Sequence, residues 1–207
     1  MKSQSATPPE QRPRPHLAGY MTPTFSRGRP APVEAIWLLV QWMFVSSWLP
    51  GSAHRRLLLK LFGAKVGPGV VLKPGVRVKF PWRLAIGADS WIGEDVWIDN
   101  LAAVTIGADC CLSQGAYICT GSHDWSRHTF DLVTKPIEIR DGAWIAARAV
   151  VGPGVTVGEG AVLGLGSTAT SDLAAWQIHM GVPAVATAAR SLRPDPRSLD
   201  RAGTGET

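Results

Sequence analysis

The chain has 207 residues, 45% of them hydrophobic and 18% charged, which suits one globular domain with a small appendage and excludes a wholly disordered chain. The formal net charge is +5, but five of the 21 basic residues lie in the first 32 positions, so the middle is nearer to balance. No basic stripe interleaved with stacking aromatics is present, and no nucleic-acid partner is expected.

Residues 1–32 carry seven prolines, five basic residues and one acid, Glu10. So little apolar surface cannot offset the entropy of ordering, and the segment reads as a disordered, Pro-rich tail. At Val33 the character reverses. Residues 33–65 read as two helices, one apolar and tryptophan-rich (Trp37, Trp42, Trp48) and ended by Pro50-Gly51, the other amphipathic from His54 to Phe62. The first is broken by Gln41 and Ser46-Ser47 and is too short for a membrane span. Its position after a long proline-rich leader also reads against a signal peptide. A helix of this kind must cover itself against the protein, an oligomer partner or a membrane surface, and the basic end of the second favours anionic lipid.

From Val66 a six-residue period sets in. Val66, Leu72 and Val78 are followed, after a skip of two, by Ile86, Ile92 and Ile98, and after another by Ile106, Leu112 and Ile118. The pattern then breaks and resumes as Ile139, Ile145, Val151, Val157, Leu163 and Ala169. Four positions after most of these stands a small residue, and glycine often follows directly, as expected for tight corners. Three hexapeptides form one triangular coil of eighteen residues, giving coils at 66–83, 86–103, 106–123, 139–156 and 157–174. Each coil buries its apolar face only against its neighbours. Cys110 falls on an inward slot. The cysteines (Cys110, Cys111, Cys119) show no C-x-x-C spacing and read as small buried residues in a reducing, cytoplasmic compartment.

The single interruption follows His123. Residues 124–136 are too many for a turn and too polar for a core, and loops that interrupt repeat arrays often carry the binding function. His123 stands at the end of the third coil, one residue past Ser122, which the register turns inward, so the histidine should point outward. An imidazole held there on a rigid scaffold has the intrinsic pKa of a general base. Asp124 is open to two readings: a carboxylate partner that orients His123, or a group that serves the loop.

The tandem pattern resembles the left-handed parallel β-helix of hexapeptide-repeat acyltransferases. The runs Leu61–Lys65, Trp97–Asn100, Leu112–Tyr117, Cys119–Trp125, Lys135–Ile137 and Asp141–Ala146 resemble most closely the acetyltransferases of colanic-acid and exopolysaccharide biosynthesis, over roughly residues 34–186. The resemblance implies an all-β fold, a left-handed parallel β-helix of about five triangular coils behind an N-terminal apolar helical segment. The repeat domain would be 66–186 and the flexible C-terminal tail 187–207. It implies an acetyl-CoA-dependent O-acetyltransferase acting on a sugar hydroxyl, with His123 as general base and no metal. Asn100 resembles an asparagine that binds acceptor or stabilises the oxyanion. The amides of Ala147 and Leu165, together with Thr170, are the implied coenzyme A contacts, and Trp144 and Trp125 would shape the cleft or simply cover coil surface. A lysine common in the wider family is replaced by Ser171, so phosphate contacts would fall to Arg190 or Arg193. A homotrimer with active sites between subunits is also implied. The acceptor would be a sugar, a nucleotide sugar or a lipid-linked oligosaccharide, and peripheral membrane association at the inner face of the plasma membrane would suit the last. Other readings are an amino-sugar acceptor, a non-catalytic membrane-associated scaffold, or a metal hydrolyase, for which three histidines would have to converge.

Overall fold

Short apolar repeats cannot form long strands, and the chain instead builds two- and three-residue strands stacked in register. A computed structural model describes residues 14–20, 22 and 25–193. Parallel stacking of β1 (Lys65–Val66), β4 (Leu84–Ile86), β7 (Val104–Ile106), β12 (Ile137–Ile139) and β15 (Thr156–Val157) forms the first face of a prism. The second face is β2 (Val71–Leu72), β5 (Trp91–Ile92), β8 (Cys111–Leu112), β13 (Trp144–Ile145), β16 (Val162–Leu163) and β18 (Gln177–Gly181), with β19 (Ala184–Ala189) antiparallel at its edge. The third is β3 (Arg77–Val78), β6 (Trp97–Asp99), β9 (Tyr117–Cys119), β14 (Val150–Val151) and β17 (Thr168–Ala169). Outside the prism, β10 (Gly121–His123) and β11 (Leu132–Thr134) make an antiparallel hairpin.

The expected aliphatic columns are the core. Val66, Ile86, Ile106, Ile139 and Val157 are paired one above another, as are Leu72 to Leu163 and Val78 to Ala169, and all are buried. At about 1.5–3 kcal/mol for each large side chain buried, these columns are the main source of stability. Close stacking leaves no room at some corners: a Cβ on Gly87 would lie 2.4 Å from the Ala108 nitrogen of the next coil. Cys110 is buried among the columns, and desolvation pushes its thiol up to about 11, so it stays protonated and inert.

One detail of the expected register changes. As the two-residue skips require, the first three coils stand twenty residues apart, with Val66 paired to Ile86 and Ile86 to Ile106, and the last two stand eighteen apart, with Ile139 paired to Val157. The two extra residues sit at the corner between the third and first faces. There the buried residues are Phe80, Asn100 and Thr120, whereas Ala102 and Ser122, expected inside, are only partly covered. Polar side chains are tolerated at this corner because they saturate the turn: Thr120 Oγ1 donates to the Asp99 carbonyl and accepts from the Ala102 amide.

At the lower end, α1 (Ala31–Val40) continues into one π-helical turn (Gln41–Val45), closed by the Ser46 amide on the Gln41 carbonyl, and α2 (Ala53–Leu61) follows. Arg55 is fully buried and donates to the carbonyls of Val45, Ser47 and Gly51, which ties the two helices together. Chain on either side of the expected boundaries is also placed. Phe25 stacks on Phe80, and Arg27 pairs with Glu34 at 2.8 Å. At the other end β19 extends to Ala189, past the expected tail boundary at 187, because its backbone pairs with β18. Most of the remaining proline-rich head and the tail from 194 lie outside the described residues.

Candidate functional site

The hairpin β10–β11 carries His123, which sits opposite Leu132 and not on a coil strand. Ser122, expected to point into the prism and so turn His123 outward, instead belongs to the hairpin and pairs with Val133. The expected loop 124–136 is likewise shorter, because Leu132–Thr134 find backbone partners in β10.

The histidine is fixed by one residue at the far side of the hairpin tip. Its Nδ1 lies 3.0 Å from the Phe130 carbonyl oxygen, and its ring stacks on the Phe130 ring at 4.3 Å between centroids and 8° between planes. A carbonyl only accepts, so Nδ1 donates in this contact, and in the neutral tautomer that fits it the lone pair lies on Nε2. Phe130 adopts φ +51°, an uncommon backbone for a bulky residue. The strain accompanies the inward turn of this carbonyl. Tyr20 packs against the imidazole with ring centroids 5.8 Å apart.

Asp124 does not complete a dyad. Its Oδ1 accepts from the Ser126 amide at 3.0 Å and from the Ser126 hydroxyl, and Oδ2 faces Arg127 Nε at 3.5 Å. Those hydrogen bonds from Ser126, followed by Arg127, hold the carboxyl below the usual carboxylate range. Arg127 also bonds Asp131 at 3.0 Å, so both acids serve the hairpin tip.

His123, Asp124 and Trp125 line a cleft of about 420 Å³ with Val133, Lys135 and Pro153. In the sequence Lys135 is marked only as part of the run Lys135–Ile137, Pro153 has no signal within its coil, and Phe130 has none, since it acts through its backbone. A second cleft of about 640 Å³ gathers Trp144, Ala147 and Leu165 with Gln114, Met180 and Arg190. Among the described residues, the amides of Ala147 and Leu165 have no hydrogen-bond acceptor in the protein, although their neighbours Ala146 and Gly164 bond across coils. Trp144 is anchored by donating Nε1 to Ser113 Oγ at 2.9 Å. Arg190 reaches the carbonyls of Gly142 and Gly160 at 2.8 and 2.9 Å, which places a cation at the cleft. Arg193 is exposed and lines neither cleft.

Two expected site residues fall elsewhere. Asn100 is wholly buried, with its Oδ1 accepting from the Phe80 amide and its Nδ2 donating to the Phe80 carbonyl. It clamps one coil to the next and cannot meet an acceptor, which corrects the catalytic reading. Thr170 is exposed at the corner above Gly152 and lines neither cleft. The two clefts open on opposite sides of β14, one at Ala147 before it and one at Pro153 after it. Among the described residues, no three metal-ligating side chains converge.

Comparison with known proteins places the chain. No family model matches. Over 171 residues it is 40% identical to the Escherichia coli protein WcaF, by name a colanic acid biosynthesis acetyltransferase, covering 82% of this chain and 93% of the relative. It is 28% identical over 132 residues to the galactoside O-acetyltransferase of the same organism, covering 62% of this chain and 65% of that one. In fold it matches the hexapeptide-repeat acetyltransferase VCA0836 of Vibrio cholerae, solved with acetyl coenzyme A, at TM-score 0.71 and 23% identity over 78% of this chain and 89% of that one.

Proposed function

Because this chain belongs to the hexapeptide-repeat acetyltransferases, we propose that it transfers acetyl from acetyl-CoA to a sugar hydroxyl in exopolysaccharide or surface-glycan biosynthesis, with His123 as general base. The observation that supports the base is the Nδ1 contact to the Phe130 carbonyl, which in the neutral imidazole puts the lone pair on Nε2. Nε2 takes the proton of the acceptor hydroxyl as its oxygen attacks the thioester carbonyl carbon. The tetrahedral intermediate collapses, the carbon–sulfur bond breaks, and the imidazolium returns the proton to the departing thiolate. Charge forming on the ring is steadied by the Phe130 carbonyl, in the place a carboxylate takes in a triad.

The second cleft suits the pantetheine arm and thioester of the coenzyme. Its walls are mostly apolar, two amides stand ready as donors, and Arg190 supplies positive charge. This supports Trp144, Ala147 and Leu165 as contacts, with Thr170 lying further out. The two clefts sit on different corners of one prism, so a trimer that sets one subunit's His123 cleft against the next subunit's Ala147 cleft would join them. The sugar acceptor is supported by the similarity to WcaF and to the galactoside O-acetyltransferase.

His123→Ala should lower thiol release from acetyl-CoA in the presence of acceptor by about 10²- to 10⁴-fold, with the oligomer and melting temperature unchanged. A near-normal rate in that variant overturns the assignment. Mass spectrometry of surface polysaccharide from cells with the active protein and with the His123→Ala protein should locate the missing acetyl group. Loss of a non-carbohydrate acetyl group instead would refute the acceptor class.

A further inference from the structure

The helical segment below the prism is built inside out. Its inward stripe, the buried Glu34, Trp37 and Val45 with the half-buried Gln41, recurs every three or four residues and is half polar. Those polar atoms meet the open edge of the first coil: Gln41 Oε1 accepts from the Val78 amide at 2.6 Å, and Trp37 Nε1 donates to the Val78 carbonyl at 2.8 Å. Ser46 and Ser52 bond Val76 and Leu72 in the same way. A terminal coil needs such partners, because no further strand lies beneath it. The consequence is that the apolar side chains face out. Ile36, Leu39, Trp42 and Trp48 are 55%, 55%, 74% and 77% exposed, and Leu57 and Leu61 of α2 add 58% and 70%.

Charge is segregated in the same direction. Residues 25–79 contain nine Lys and Arg against one acid, Glu34, a formal +8. Residues 80–193 contain seven against eleven, a formal −4. Arg29, Lys60, Lys65 and Lys73 are all exposed at the helical end. No helix among the described residues is long and apolar enough to cross a membrane.

We propose that this end of the molecule is a docking surface for an anionic lipid bilayer, with Trp42 and Trp48 entering the interface and the lysines meeting lipid phosphates. Apolar side chains with tryptophans, flanked by cations and lacking acids, are what an interfacial anchor presents. Charge complementarity selects the bilayer over a second copy, since two such basic faces brought together would repel. The proposal is independent of the acceptor and of the role of His123.

The test is co-sedimentation of the full chain with phosphatidylglycerol-rich vesicles and with phosphatidylcholine vesicles. Binding to the first is expected, weakened by salt, with a blue shift of tryptophan emission that Trp42→Ser/Trp48→Ser removes. Lys60→Glu/Lys65→Glu should weaken binding by at least roughly fivefold per charge. Acetyl transfer to a water-soluble acceptor should be unchanged in all variants. Failure of the wild-type chain to bind anionic vesicles overturns the proposal. So does analytical ultracentrifugation in which the tryptophan variant falls to a smaller species, because the face would then be an interface between copies.

Discussion

The coils and the hairpin that leaves them are held by different means. In a coil, every inward side chain touches an equivalent residue above and below, so removing one is felt by three turns. In the hairpin of residues 121–134 nothing repeats, and the His123 ring is held by one carbonyl and the rings of Phe130 and Tyr20. Stability is thus spread over the array, while the proposed chemistry depends on a few local contacts projecting from it. A rigid support with a separately built tip lets the tip change without loss of fold.

That contrast can be broken most forcefully in the columns. Ile145 is fully buried between Leu112 and Leu163, and Ile145→Ala should cost roughly 2–5 kcal/mol in denaturant unfolding. Because it stands on β13 beside Trp144, it should also weaken coenzyme binding before it touches the proton-transfer step. Unfolding unchanged within error would mean the array is not the source of stability.

Asn100 gives a smaller and sharper test. If it clamps Phe80 as its two hydrogen bonds indicate, Asn100→Ala should cost about 1–3 kcal/mol of stability and leave kcat of the folded enzyme almost unaltered. A large fall in kcat at unchanged stability would return Asn100 to the active site.

The same residue shows where the sequence stops being legible. The aliphatic columns could be read directly because a period of six repeats many times and each slot answers to the same packing. The third corner could not, because two inserted residues move the inward slot from Ala102 to Asn100 and from Ser122 to Thr120, and small residues at 102 and 122 still satisfy the count. The placing of His123 beside a cleft was foreshadowed by the break in the array that follows it. The histidine's partner was not, since a backbone carbonyl leaves no residue type to recognise. Asp124 is adjacent in sequence and has suitable chemistry, yet its carboxylate is occupied by the tip. The residues proposed to meet the coenzyme fell between these cases: Ala147 and Leu165 share a cleft, while Thr170 stands one corner away.

The smallest expected effect lies at Asp124. Removing a carboxylate that orients a catalytic histidine costs about 10⁴-fold in rate. Asp124→Asn should cost far less, because Ser126 and Arg127, and not His123, hold the carboxylate. The acid limb of kcat/KM, set by protonation of the base, should keep its midpoint in the variant. Any stabilisation of the tip follows from a folded-state pKa that lies below the unfolded one. It is therefore complete above the ordinary carboxylate range and fades only as pH falls through the depressed value. Melting curves of the wild type and Asp124→Asn should differ slightly near neutrality and converge in acid. A rate loss near 10⁴-fold, or a displaced acid limb, would show that the hairpin lets Asp124 turn to His123 when substrate is bound.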